Sequence, residues 1–241
     1  MRIARRGMSG AAFSAALLVS AFLPMSAAQA ATPTCFGKAA THVMQPGEGT
    51  YNTRTGVVDV VVGTSGVDNI LGPGEFGPAT DVGDYLCGGA GNDRIFGSAG
   101  PDHINGGDGD DHVEGWRGAD VVQGNAGNDI VDEGSMDSQD TKNDILRGGI
   151  GNDTLYTGWG KDKAYGEDGT DKLYDLECDG PTVLDGGAGN DYFESYSSSF
   201  DGYGGNVCHS VADQIVGGTG TDKALVDKLD TLTAVETVTR R

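Results

Sequence analysis

GGAGNDRIF GSAGPDHIN GGDGDDHVE GWRGADVVQ GNAGNDIVD, residues 88–132, is five nine-residue units without a gap. Each unit has Gly at its first and fourth positions, Asp at its sixth, and Ile or Val at its eighth. Several constraints held in phase for five units mark an internal repeat, and a repeat decides the fold before any single residue does. The glycines permit positive φ and tight turning, so the first six positions are a turn. The last three, with one β-branched or aliphatic residue between two others, form a very short strand. Two units then make one coil of eighteen residues. Ile95, Ile104, Val113, Val122 and Val131 point inward. No unit can bury such a row alone, so neighbouring coils must stack.

Asp93, Asp102, Asp111, Asp120 and Asp129 recur in the same phase. Stacked coils lie roughly 4.8 Å apart, the strand spacing of a sheet. Carboxylates eighteen residues apart therefore face each other across that gap. Left alone they repel; with a cation between them they become ligands. Carboxylate and backbone carbonyl oxygens suit Ca²⁺ at six to eight coordination.

These units resemble the repeats-in-toxin (RTX, hemolysin-type) calcium-binding repeat, GGxGxDxUx. The resemblance implies an all-β parallel β-roll of nine-residue repeats holding several Ca²⁺ ions between successive turns, closed by N- and C-terminal caps. Carried onto this chain, the implied metal ligands are Asp84, Asp93, Asp102, Asp111, Asp120, Asp129, Asp144, Asp153, Asp162, Asp171 and Asp191. The turn glycines Gly89, Gly91, Gly107, Gly109 and Gly127 join them.

Outward from the central run the register loosens. Residues 1–30 carry Arg2, Arg5 and Arg6, an apolar stretch around residues 11–23 and Ala-Gln-Ala at 28–30, which reads as a cleavable secretory signal peptide. The apolar run is too short for a membrane span. Residues 31–53 show no repeat and read as an N-terminal cap. The roll is expected over 54–225, with Asp59 and Asp68 as weak ligands at best because the glycines of the first unit are largely missing. Turn-rich or irregular insertions near 72–80, 133–142, 175–182 and 195–207 interrupt the phase. The aspartates thus read as one ladder from Asp84 to Asp129, with sides Asp84/Asp102/Asp120 and Asp93/Asp111/Asp129. A second ladder pairs Asp144/Asp162 and Asp153/Asp171, weakened by Lys161, Lys163 and Lys172. A lone strong unit contains Asp191, the unit before it having Thr182 in place of Asp. Asp213 and Asp222 belong to a last pair of units. Residues 226–241 alternate apolar and polar residues and read as a C-terminal cap strand.

The chain has 36 acidic and 16 basic residues, a net charge of −20 that becomes −23 once the three arginines of residues 1–30 are removed. Such acidity argues against nucleic acid and anionic membranes as partners. Without metal, much of the chain should behave as a disordered polypeptide. Cys35, Cys87, Cys178 and Cys208 allow three pairings. Cys35–Cys87 and Cys178–Cys208 are favoured, since each closes a region of irregular repeats, and no CxxC spacing supports a zinc site. His103 and His112 occupy the seventh position of successive units and should point outward on opposite sheets. No HExxH, GxSxG or Walker pattern occurs. The expectation is a secreted, extracellular calcium-binding module without catalytic residues, its macromolecular partner a surface polysaccharide or a protein. The alternative is a small secreted carbohydrate-active enzyme or enzyme subunit, epimerase- or lyase-like, built on the same roll.

Overall fold

The computed structural model describes residues 31–73, 81–134, 141–175, 180–195, 212–226 and 228–240. The expected signal peptide, Cys178 and Cys208 lie outside the described residues. Among those described, every regular element is a strand. Twenty strands form two parallel sheets of ten. The chain lays one strand in each sheet alternately, so each coil contributes one strand to both.

The first sheet runs through His42–Val43, Val60–Val62, Tyr85–Ala90, His103–Asp108, Val121–Ala126, Ile145–Ile150, Lys163–Asp168, Val183–Ala188, Gln214–Val216 and Thr231–Thr233. The second runs through Tyr51–Asn52, Asn69–Leu71, Arg94–Phe96, His112–Glu114, Ile130–Asp132, Thr154–Thr157, Lys172–Asp175, Tyr192–Ser195, Lys223–Val226 and Thr237–Arg240. This is the parallel β-roll that the nine-residue period implies. The last strand of each sheet comes from the tail, so residues 231–240 build one further coil rather than a lone strand.

Register follows the eighth position. Val122 pairs with Ile104 on one side and Leu146 on the other, and Val113 pairs with Ile95 and Val131. These residues and their equivalents, Leu155, Ala164, Leu173, Leu184 and Ile215 among them, are fully buried in one continuous core. The core is two aliphatic columns wide, one from each sheet. In the first coil His42 and Tyr51 stand opposite Val61 and Ile70. Their rings stack at 4.1 Å, closing the open end of the aliphatic columns with flat polar-edged rings.

The N-terminal residues dock on the outer face of the first sheet. Thr34–Cys35 and Lys38–Ala39 form a two-stranded antiparallel ribbon. Cys35 is bonded to Cys87, one of the two expected disulfides. Phe36 lies 5.4 Å from the ring of His103, which stacks on Tyr85 at 4.9 Å. His103 and His112 do sit on the outer faces of opposite sheets, but His103 is half covered by this ribbon.

The roll has two unlike edges. Turns that lead from the first sheet to the second, such as residues 91–93, 109–111 and 127–129, are three residues long through the central coils and no longer than seven at the ends. Turns that lead back from the second sheet to the first carry all four expected insertions, because each insertion falls between a strand of the second sheet and the next strand of the first. Most of the inserted residues, 74–80, 135–140, 176–179 and 196–211, lie outside the described residues. We call the two sides the tight edge and the loop edge.

The packing is testable. Leu155→Ala, in the middle of the column, should cost about 2–5 kcal/mol in the calcium-loaded protein, whereas Lys172→Ala on the outer face should stay within about 0.5 kcal/mol. Denaturant unfolding of the two variants side by side checks this.

Candidate metal centre

The sixth-position aspartates are buried, not displayed. Asp59, Asp68, Asp84, Asp93, Asp102, Asp111, Asp120, Asp129, Asp144, Asp153, Asp162, Asp171, Asp191 and Asp222 each expose at most 3 % of their surface. Along the tight edge each backbone N–H donates to Oδ1 of the aspartate one coil on. The series runs Asp68, Asp93, Asp111, Asp129, Asp153, Asp171, Asp191, Asp222, with N···O distances of 2.7–2.9 Å. Glu236 accepts the last such bond, from Asp222 at 2.7 Å. Along the loop edge the same pattern links Asp59, Asp84, Asp102, Asp120, Asp144 and Asp162. Beyond Asp162, Thr182 takes the place of an aspartate and donates to Asp213, which donates to Asp230.

The spacing of the sequence reads as two separate aspartate ladders; the structure joins them. Asp120 reaches Asp144 and Asp129 reaches Asp153 across 24 residues instead of 18. Asp191 is likewise no isolated unit, since it is bonded to Asp171 and Asp222. Each insertion is absorbed at the loop edge, and the coil resumes in register above it.

One oxygen of each carboxylate is thus committed to the backbone. The other is the candidate ligand. Oδ2 of Asp93, Asp111, Asp129, Asp153, Asp171, Asp191 and Asp222 is buried without a hydrogen-bond donor. All seven belong to the tight edge. The first glycine of each unit keeps the space beside this oxygen open: a Cβ on Gly106 would sit 2.3 Å from Oδ2 of Asp111. The fourth glycine allows the turns themselves to touch. Gly109 has φ +125°, and a Cβ there would come within 2.2 Å of the carbonyl oxygen of Gly91. Gly89, Gly91, Gly107, Gly109 and Gly127 all have positive φ and line this edge.

A buried carboxylate with no donor or cation is unfavourable, and such a group either gains a proton or gains a counter-charge. Burial is the main cause that pushes Asp93, Asp129 and Asp171 up to about 7, and Asp111, Asp153 and Asp191 up to about 6. The backbone donor from the preceding coil opposes the rise, and nearby carboxylates such as Asp111 beside Asp93 add to it. On the loop edge Asp102 rises to about 7 and Asp84 to about 6, again chiefly through burial. A row of buried oxygens, each with a glycine-cleared space and no donor, fits a row of hard cations.

The first aspartate of the loop edge is different. Burial alone would raise the Asp59 carboxyl, but Arg54 more than offsets it: the guanidinium is paired with Asp59 Oδ1, and the Arg54 backbone N–H donates to Oδ2 at 2.7 Å. An arginine thus provides the positive charge at Asp59. Asp68, at the start of the tight edge, is as buried as the central aspartates but accepts the Thr64 N–H on Oδ2.

Two sets of residues escape the repeat pattern. Glu133, at the head of an expected insertion, occupies the slot of a first-position glycine. Its carboxylate gathers with those of Asp144 and Asp162, ligand atoms within 4.8 Å of one another and all three residues buried. Gly158 leaves room for it and donates its N–H to Oε2 at 2.6 Å. The signal was Glu in a glycine position. The second set is the fifth position, where Asn92, Asp110, Asn128 and Asn152 form their own ladder: each side-chain oxygen accepts the N–H of the equivalent residue one coil on, at 2.8–3.2 Å. Recurrence of Asn immediately before Asp carried that signal.

Residues 88–122, 117–132, 140–173 and 179–197 match the family described as the RTX calcium-binding nonapeptide repeat, in four copies. No curated protein matches the chain.

The raised carboxyls set the pH dependence of the metal-free roll. A group whose pKa is higher folded than unfolded binds protons better in the fold, so its contribution is present below about 4 and lost as pH rises through about 6–7. The chelated protein should therefore show more β-structure at pH 5 than at pH 8. Circular dichroism in excess chelator across that range checks it; a flat or rising β signal would contradict the assignment.

Proposed function

Residues 88–197 being an array of RTX calcium-binding repeats, we propose that the chain is a secreted protein whose roll folds around several Ca²⁺ ions and acts as a structural or interaction module outside the cell. The observation that carries this is the tight-edge row of buried Oδ2 atoms without hydrogen-bond donors.

Asp93, Asp111, Asp129, Asp153, Asp171 and Asp191 would hold cations along the tight edge, with carbonyls of turns such as Gly89–Gly91, Gly107–Gly109 and around Gly127 completing each shell. On the loop edge Asp84, Asp102, Asp120, Asp144 and Asp162 would do the same, Glu133 adding a carboxylate beside the last two. Bound calcium supplies positive charge that lets the buried carboxylates stay ionised. The chain's own contribution is to pin one oxygen of each carboxylate to a backbone N–H and leave the other turned into the gap between coils. Ordering each residue costs roughly 1–2 kcal/mol, and a two-column core recovers little of that per coil. Calcium that binds only the folded roll shifts the balance by mass action.

Residues 1–30 have the layout of a signal peptide, and the Cys35–Cys87 disulfide suits an oxidising compartment. No helix among the described residues is long and apolar enough to cross a membrane. The phase of the carboxylates with glycine favours ligation over acid–base catalysis, so the reading is a binding protein, not an enzyme. Its net charge disfavours nucleic acid, and its macromolecular partner is taken to be a surface polysaccharide or a protein.

Two neighbouring residues separate ligation from general charge. Asp111→Asn removes a buried carboxylate, while Asp110→Asn places in the fifth-position ladder the residue already present at Asn92 and Asn128. In a calcium titration followed by circular dichroism the parent should fold with a midpoint of roughly 10⁻⁴–10⁻³ M. Asp111→Asn should raise that midpoint severalfold, and Asp110→Asn should leave it unchanged. Equal behaviour of the two variants, or full β signal in chelator at pH 8, would sink the proposal.

A further inference from the structure

The second position of the turn is glycine at Gly89, Gly107, Gly149 and Gly187, and each has positive φ. Asn125 and Glu167 stand in the same column, opposite Gly149 on either side. Both keep the left-handed backbone, with φ +81° and +76°, although neither is glycine. A side chain in this region is strained, and such departures concentrate where the side chain has a use. Here the two departures flank one point.

That point is a cleft of about 230 Å³ on the outer face of the first sheet, lined by Gln123, Asn125, Arg147, Gly148, Gly149 and Glu167. Gly148 and Gly149, both buried, belong to its lining. Arg147 lies over the ring of Tyr165, with its Cζ 4.7 Å from the centroid, and is bonded to Glu167 at 2.7 Å. The Asn125 amide is oriented by donating to Asn105 Oδ1 at 2.8 Å.

The lining decides the ligand chemistry. Two amides, a guanidinium and a carboxylate offer donors and acceptors side by side, the complement of adjacent hydroxyls that both donate and accept. Glu167 neutralises Arg147, so the cleft has no net charge to hold a phosphate or carboxylate, and the acidic chain as a whole repels anions. The apolar share is too small for a hydrocarbon ligand, and the volume suits one sugar ring. We propose that this cleft binds a neutral saccharide unit, held by Asn125, Arg147 and Glu167, with Gln123 at its rim. The site goes beyond the calcium reading but rests on the roll being folded, so the test is run in calcium with the fold monitored separately.

The experiment uses the full chain after residue 30 in millimolar calcium, with cellohexaose, mannohexaose and laminarihexaose as neutral probes and hexagalacturonate as an acidic one. Calorimetry or ligand-observed NMR reads binding; circular dichroism reads the calcium midpoint without sugar. The parent should bind at least one neutral probe and should not prefer the acidic one. Asn125→Gly with Glu167→Gly restores the glycine column, so it should leave the calcium midpoint equal or lower while weakening sugar binding at least about tenfold. Arg147→Ala, a surface change, should weaken binding similarly with the midpoint unchanged. The inference is overturned if no neutral probe binds the calcium-folded parent, if hexagalacturonate binds better, or if binding survives in both variants. It is also overturned if the double glycine variant needs more calcium to fold, since Asn125 and Glu167 would then be serving the fold. Failure of the parent itself to respond to calcium would count against the calcium reading and is seen before any sugar is added.

Discussion

Everything in this molecule depends on stacking acid upon acid at the spacing of a β-sheet. A parallel sheet sets neighbouring strands about 4.8 Å apart, and the sequence puts an aspartate at the same place in nearly every turn. Along the tight edge from Asp93 to Asp222, hydrogen-bond donors satisfy only one oxygen of each carboxylate. The hydrogen-bonded half fixes where the other half points, so one column of contacts both holds adjacent coils together and creates the electrostatic problem that a cation solves. The aliphatic columns, one from each sheet, run alongside that stack of carboxylates through the whole roll.

Much of this was legible in the residues. The eighth-position row named the core: Ile95, Val113, Val131, Leu155 and Leu173 are all fully buried. The sixth-position row named the stacked aspartates, and the even cysteine count allowed the Cys35–Cys87 pairing that the structure contains. What the linear period could not show is that an insertion need not interrupt a ladder. Sequence counts residues, whereas the sheet counts coils. A loop leaving and returning on the same edge adds residues without adding height, so Asp120 finds Asp144 and Asp191 finds Asp222. Asp59 and Asp68, at the start of the roll, stay in the coil register, but Oδ2 of each already has a donor, the Arg54 N–H at Asp59 and the Thr64 N–H at Asp68. Arg54 and Glu133 show only as departures from glycine in the first position of their units.

The two edges also divide the labour of the chain. The tight edge keeps glycine, asparagine and aspartate in near-uniform register from Gly91 to Asp191, with only Thr170 and the side chains of Asn125 and Glu167 departing from it. The loop edge tolerates length changes, a threonine in an aspartate position at Thr182, and the added carboxylate of Glu133. Per-repeat insertions confined to one side are a general property of solenoids. Here they leave the opposite side free to remain a regular array.

The Cys35–Cys87 bridge has a mechanical consequence. It ties the N-terminal ribbon to the third strand of the first sheet, across a sequence separation of 52. Tension applied between the two termini would bypass that loop through the covalent bond, so the first coils carry no load. Peeling must then start from the other end, where Thr231–Thr233 and Thr237–Arg240 have a neighbour on one side only. Under oxidising conditions the fully stretched chain would also fall short of its reduced length by roughly 18 nm. The bridge thus gives an otherwise repetitive roll a direction, with an anchored end and an end that yields.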